Sequence, residues 1–300
     1  MSDMKPLPPI TVLKGGISSE REVSLRSGAA IAVALRQVGY VVEELDVTTA
    51  DFVLPPREQV LFIGLHGTFG EDGALQKRLD EAGRRYTGPG AEACRVSFDK
   101  LAARDKFQAA GLRVARGGPW TPAVLWPIPY VLKPVADGSS LGVSIVRNPG
   151  EEAAARAAAQ AFGKPMMVEE FIAGRELTVG LLDGRPLPVV EMRPKEGFYD
   201  YENKYTAGKT DHLCPAPLDG PATRLVQEIS ATAYQSVGCQ VYARVDVILP
   251  DDGSAPVVLE LNALPGMTDL SLLPEAAAAE GITFPQLCRR IVELSLEARP

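Results

Sequence analysis

Apolar positions along the chain fall into two repeating patterns. Short apolar runs alternate with stretches in which apolar residues recur every three or four positions. Ile10-Thr11-Val12-Leu13 predicts a strand that runs into Gly15-Gly16. Helical periodicity over 19–38 follows, carried by Val23, Leu25, Ala30, Ile31, Ala34 and Leu35 and stopped by Gly39. Strands are expected at 41–45 and 60–65, and an amphipathic helix over 73–82 closed by Gly83. Strands alternating with helices imply a parallel α/β sheet. This first unit ends near Gly88-Pro89-Gly90, which gives an N-terminal α/β domain over residues 1–91.

Beyond it the pattern changes. A helix over 97–110 stops at Gly111, and the Pro-, Gly- and Trp-rich stretch 117–129 reads as a connection. Strands at 130–133, 143–146 and 167–170 flank an alanine-rich helix over 151–162, whose Glu151 and Glu152 suit the positive end of the helix dipole. This α+β unit is expected to span 92–172. The remainder, 173–300, holds strands at 177–182 and 189–192, a polar loop over 195–211, a helix over 223–237, a hairpin, and a helix over 283–297.

The hairpin has strict alternation on both arms. Arg244 and Asp246 share one face of the first arm, and Glu260 and Asn262 share one face of the second. A hairpin centred on Gly253 places Asp246 opposite Glu260 and Arg244 opposite Asn262. Directly paired side chains stand about 5 Å apart at Cβ. Three oxygen ligands beside one guanidinium suit Mg²⁺, which favours carboxylates, water and phosphate. A solvated sheet face is the plainer reading of the hairpin taken alone.

Composition narrows the field. The chain has 300 residues, a formal charge of −7, four cysteines and two histidines. That charge argues against a dedicated nucleic-acid surface. Scattered cysteines without a CxxC pair point to reduced thiols, and two histidines cannot build a histidine-rich metal site. No apolar run reaches membrane-spanning length. The start lacks the apolar segment of a signal peptide, so a cytoplasmic location is expected.

Other stretches carry candidate chemistry. Lys133, followed by Gly138-Ser139-Ser140, is a strand end leading into a small-residue loop. Such a loop either cradles phosphate with its N–H groups or makes a tight turn. Glu169-Glu170-Phe171-Ile172 can clamp an adenosine or simply end a strand. Glu20 can belong to a helix cap, or hold a substrate ammonium at the end of the first strand, where open α/β sheets bind ligands. His66 has the same address, as a ligand or as a satisfied turn residue; His212 reads as structural. The loop over 198–205, with Lys204 and Tyr205, is long enough for a lid. Gly266 could offer an N–H to an oxyanion, and Ser271 and Leu272 could bind a carboxylate.

These stretches occur together and in one order. The chain resembles the D-alanine–D-alanine ligase family of the ATP-grasp superfamily. The resemblance runs through Gly15-Gly16-x-Ser18-x-Glu20-Arg21-Glu22-Val23-Ser24, Leu65-His66-Gly67, Gly70-Glu71-Asp72-Gly73, Tyr86-Thr87-Gly88 and Asp99-Lys100. It continues through Lys133-Pro134, Gly138-Ser139-Ser140, Phe198-Tyr199-Asp200-Tyr201, Lys204-Tyr205, Cys214-Pro215-Ala216, Arg244-x-Asp246 and Glu260-x-Asn262-x-x-Pro265-Gly266-Met267-Thr268. It implies a Rossmann-like (pre-ATP-grasp) parallel sheet followed by a two-part ATP-grasp module.

The resemblance further implies ATP-dependent joining of two D-alanines, through an acyl phosphate, for bacterial peptidoglycan. ATP is then a substrate, with two Mg²⁺ ions, for which Mn²⁺ can substitute. Carried over by position, Asp246, Glu260 and Asn262 ligate the metals. Glu20 and His66 serve the first substrate, and Ser139 and Tyr205 position Glu20 and the reacting groups. Arg244 and the Gly266 N–H stabilise the oxyanion, while Lys204, Ser271 and Leu272 serve the second carboxylate. Lys100, Lys133, Ser139, Ser140 and Lys204 face the phosphates. Glu169, Glu170, Phe171 and Ile172 line the adenine side, with Glu176 at the ribose. A homodimer is expected, with no nucleic-acid or membrane partner. Two alternatives are a related ligase using another amino acid or a hydroxy-acid acceptor, and an inactive nucleotide-binding regulatory protein. Lys14, and the spelling Asn262-Ala263-Leu264 and Asp269-Leu270, depart from the commonest family pattern.

Overall fold

The computed structural model describes residues 6–195, 208–268 and 271–299. Three sheets account for the strands among them. The first is the parallel sheet the periodicity predicts. In it β1 (Ile10–Gly15) lies between β2 (Val42–Val47) and β3 (Val60–Ile63). β1 and β3 are apolar almost throughout because helices cover them. Helix α1 (Arg21–Gln37) packs Ile31 and Leu35 onto the sheet, and α2 (Ala74–Glu81) packs Leu75 and Leu79.

Where one helix was expected over 97–110, there are two. α3 (Ala91–Phe98) and α4 (Lys100–Ala109) are divided at Asp99, whose extended backbone breaks the run. Its carboxylate accepts from the Leu101 and Ala102 N–H groups, so Asp99 caps α4.

The second sheet is antiparallel, in the order β4 (Gly117–Trp120), β7 (Met166–Glu170), β5 (Tyr130–Pro134), β6 (Ser144–Val146). β4 lies in the stretch read as a connection. Gly117 permits it: a Cβ there would stand 2.1 Å from the Val168 carbonyl oxygen. Helix α5 (Pro149–Ala161) covers this sheet with Ala155 and Ala159 over Leu132 and Val168, capped by the Asn148 side chain.

The third sheet has the order β10 (Thr210–Leu213), β9 (Arg185–Pro194), β8 (Gly174–Leu182), β11 (Tyr242–Pro250), β12 (Val257–Asn262). Helix α6 (Gly220–Ser236) covers one side, and α7 (Leu272–Ala279), a helix not among those expected from the periodicity, packs on β8 and β9.

The final helix, α8 (Phe284–Ala298), belongs with the first sheet. Its Leu287 and Ile291 share a core with Ile31 and Leu35 of α1. Ser295 Oγ accepts from the Gly88 N–H at 3.2 Å, and Arg299 stacks 4.1 Å over the Tyr86 ring.

Candidate active site

The β11–β12 hairpin delivers the predicted patch, by a route the sequence did not reveal. Arg244 pairs with Asn262 and Asp246 with Glu260. Nearer the turn, Val247 pairs with Val258 and Ile248 with Val257, one residue off a hairpin centred on Gly253. A bulge at Leu259 absorbs the difference and restores the register at the polar pairs. Among the described residues, four hydrogen bonds reach the Asp246 carboxylate. Arg244 Nε and Thr178 Oγ1 reach Oδ1 at 2.9 and 2.5 Å, and Arg244 Nη2 and Asn262 Nδ2 reach Oδ2, each at 3.0 Å. Thr178 stands directly opposite Asp246 on β8 and is buried. Lys100 Nζ lies 3.9 Å from Glu260 Oε2. Two carboxylates and an amide on one cavity wall make a hard-oxygen donor set that fits Mg²⁺.

That wall belongs to a cavity of about 620 Å³. The second and third sheets both contribute to it. Lys100, Lys133, Ser139, Ser140, Glu169, Glu170, Phe171, Ile172, Glu176, Asp246, Glu260 and Asn262, expected at one site, all line it. Lys133 and Glu169 pair at 2.5 Å with little exposure. Glu170 turns to Arg116, whose backbone N–H and Nε donate at 2.9 and 2.6 Å. Burial disfavours its ionised form, but these donors prevail and hold its carboxyl below the usual range. Arg147 stands 5.5 Å over the Phe171 ring. Arg175, Glu191 and Arg193 also line the cavity and were not picked from the sequence. Burial would raise the Glu191 carboxyl, yet bidentate Arg175 and Arg193 lower it. Alternation along β9 was the available signal for Glu191.

The loop after β5 has an unusual backbone. Ser139, Ser140 and Gly142 have φ of 54°, 56° and 71°. For the two serines this left-handed conformation costs about 1–3 kcal/mol each and persists only where the surroundings enforce it. Ser139 Oγ donates to Glu20 Oε1. Gly138 is needed beside it, because a Cβ there would stand 2.6 Å from Glu20 Oε2.

Glu20 occupies the N-cap position of α1, but its side chain makes no cap bond. Ser18 does the local work: its Oγ accepts from the Glu20 N–H and donates to the His66 carbonyl. The Glu20 carboxylate points inward, where it is buried, and its Oε2 has no hydrogen-bond partner among the described residues. Burial first, and the nearby Glu71 carboxylate second, push its pKa up. An unpartnered buried carboxylate oxygen is a receptor for a cation, and a substrate ammonium fits it.

His66 lies beside this carboxylate, with Nε2 2.9 Å from Ser27 Oγ and Nδ1 3.2 Å from Glu71 Oε1. Burial would lower its pKa, but the Glu71 bond, the Glu71 and Glu20 charges and the Leu264 carbonyl raise it overall. Both ring nitrogens thus engage protein groups. Glu71, from the Gly70-Glu71-Asp72-Gly73 run, thus joins the site beside His66 and lines the cavity.

Among the residues expected to serve the second substrate, Ser271 Oγ accepts from the Thr268 N–H at 2.9 Å and would stand 2.8 Å from a Cβ on Gly266. Ser271 and Gly266 are therefore neighbours. Leu272 opens α7 and is buried. His212, read as structural, lies 2.9 Å from Glu275 of the same helix. Lys204 and Tyr205, with the rest of the loop from 198, lie outside the described residues, as do Asp269 and Leu270.

Two sheets that enclose a nucleotide-sized cavity, one bringing lysines and a glycine–serine loop and the other an acidic hairpin, define the ATP-grasp class. The family model described as "D-ala D-ala ligase C-terminus" matches residues 124–293. A D-alanine–D-alanine ligase of Methylacidiphilum infernorum is 44% identical over 291 residues, covering 95% of each chain. Another, of Syntrophotalea carbinolica, is 43% identical over 290 residues and 94% of each chain. The crystal structure of D-alanine–D-alanine ligase from Bacillus anthracis complexed with ATP superposes with a TM-score of 0.84 at 29% identity, covering 98% of this chain and 99% of that one. The chain belongs to the D-alanine–D-alanine ligase family and is an ATP-dependent ligase.

Proposed function

We propose that this ligase joins two D-alanines into D-alanyl-D-alanine, with release of ADP and phosphate, for peptidoglycan synthesis. The observation that carries this reading is the meeting of the Glu20 receptor with the phosphate-side loop: Ser139 belongs to the cavity wall and donates to Glu20. A carboxylate that anchors the first amino acid's ammonium is thus tied to the loop that faces the nucleotide. A free carboxylate is a poor electrophile, so the first D-alanine must be activated by phosphorylation before the second amine attacks it.

Each residue has a task in that sequence. Glu20 fixes the first substrate, with His66 and Glu71 shaping its field. Lys100, Lys133, Ser139 and Ser140 hold the phosphates, Glu169 to Ile172 receive the adenine, and Glu176 the ribose. Asp246, Glu260 and Asn262 would hold Mg²⁺ or Mn²⁺, which neutralises phosphate charge during transfer. Arg244 and the Gly266 N–H stabilise the oxyanion formed when the amine adds. Ser271 and the start of α7, with Lys204, take the second carboxylate, and Tyr205 is assigned with Ser139 to positioning Glu20 and the reacting groups. The working form is a cytoplasmic homodimer.

The test is phosphate release with ATP, Mg²⁺ and D-alanine, with the product identified by mass. Stoichiometric D-alanyl-D-alanine is expected. ATP hydrolysis indifferent to D-alanine, or a product with another acceptor only, would overturn the reading.

A further inference from the structure

The geometry points to Lys164 as a positioning residue for nucleotide binding. It would act by neutralising Asp137 in the wall of the phosphate site and by clamping the loop that carries Ser139. This rests on the reading of the cavity as the ATP site.

Three contacts join the turn after α5 to this loop. The Val135 N–H donates to the Pro165 carbonyl at 2.9 Å. Phe162 lies against Gly142, where a Cβ would stand 2.6 Å from its ring. Lys164 Nζ, 5.8 Å over that same ring, pairs with Asp137 Oδ2 at 2.6 Å. The loop between these anchors holds the left-handed Ser139 and Ser140, so its shape depends on what grips its ends.

Asp137 is the sensitive point. Its side chain is only 7% exposed and it lines the cavity. Its Oδ1 accepts from the Gly138 N–H, and its carbonyl accepts from Lys100 Nζ at 2.6 Å. Its charge is also felt by Glu20, whose pKa it helps to raise. A nearly buried carboxylate facing bound phosphates repels them unless it is compensated, and Lys164 supplies a compensating charge from outside the cavity. Lys164 is 46% exposed, so this is a surface lysine whose ammonium acts on a buried group.

The experiment is a double-mutant cycle, with affinity for a non-hydrolysable ATP analogue measured by calorimetry beside steady-state kinetics. Lys164→Met should raise the analogue Kd and the KM for ATP about tenfold while kcat changes less than threefold; Lys164→Arg should stay within about twofold of the parent. Lys164→Met combined with Asp137→Asn should recover most of the lost affinity, because the uncompensated charge is gone. A Lys164→Met variant with parental affinity would overturn the proposal. So would a double variant no better than Lys164→Met. Failure of the parent itself to bind the analogue would instead refute the assignment of the cavity.

Discussion

Thr178 and Asp246 face each other across adjacent strands, and the Thr178 hydroxyl donates to Asp246 Oδ1 at 2.5 Å. The bond orients a carboxylate assigned to metal binding from a position with almost no exposure. Removing such a partner commonly weakens metal affinity 10–100-fold. Thr178→Val, which keeps the shape and deletes the donor, should weaken Mn²⁺ binding by about tenfold, and Thr178→Ser should restore it. Titration of free Mn²⁺ by electron paramagnetic resonance checks this; equal affinity in the valine variant would show that Thr178 is only packing.

Glu260 is the other carboxylate of the hairpin and is more accessible, 27% exposed at its side chain. Glu260→Gln should therefore fold normally yet lose nearly all ligation. Near-ultraviolet circular dichroism and phosphate release at saturating Mg²⁺ measure the two halves of the statement. Parental turnover would contradict the metal assignment.

Gly138 offers a steric test of the Glu20 receptor. Its backbone is open to other residues, but a Cβ would meet Glu20 Oε2 at 2.6 Å and its Cδ at 3.1 Å. Gly138→Ala should displace the carboxylate and lower kcat/KM for D-alanine by about a hundredfold, through misplacement of the ammonium. Gly253→Ala is the contrast. Its φ of +74° is strained for alanine but nothing lies within 4 Å, so stability should fall by about 1 kcal/mol with activity intact. Urea melts and initial rates on both variants separate strain from collision.

Glu20 itself trades stability for binding. Its pKa is raised in the folded protein, chiefly by burial and then by Glu71. A raised acid resists ionisation only when folded, so Glu20 subtracts stability as pH rises above the ordinary carboxylate range, about 4, and subtracts nothing below it. Glu20→Gln should melt about 2 °C above the parent near neutral pH, and the two curves should converge toward about pH 4. Activity should be lost throughout. A parent as stable as the variant at neutral pH would mean that the carboxylate is better compensated than its unpartnered Oε2 indicates.

The alternation of Arg244, Asp246, Glu260 and Asn262 exposed the hairpin patch in the sequence because a strand has a period of two. The Leu259 bulge was hidden, since an extra residue changes register without changing composition. The split between α3 and α4 is hidden because apolar periodicity records neither the extended backbone of Asp99, which breaks the run, nor its side chain, which caps α4. β4 is masked by its two glycines, of which Gly117 is required for close approach to β7. α7 has alanine at its exposed positions Ala278 and Ala279 as well as at buried ones, so it lacks the polar stripe that marks a surface helix. Lys164 left no signal because its partner is 27 positions away.

The union of α8 with the first sheet bears on how the molecule is made. Until Leu287 and Ile291 arrive, Ile31 and Leu35 lack partners for part of their apolar surface. Residues near the start of the chain must wait for residues near its end, and contacts so distant in sequence slow folding. The layer that carries Glu20 can therefore close its core only after the residues of α8 leave the ribosome. A nascent chain halted within the third sheet would display the α1 surface to chaperones with its phosphate-side elements already synthesised.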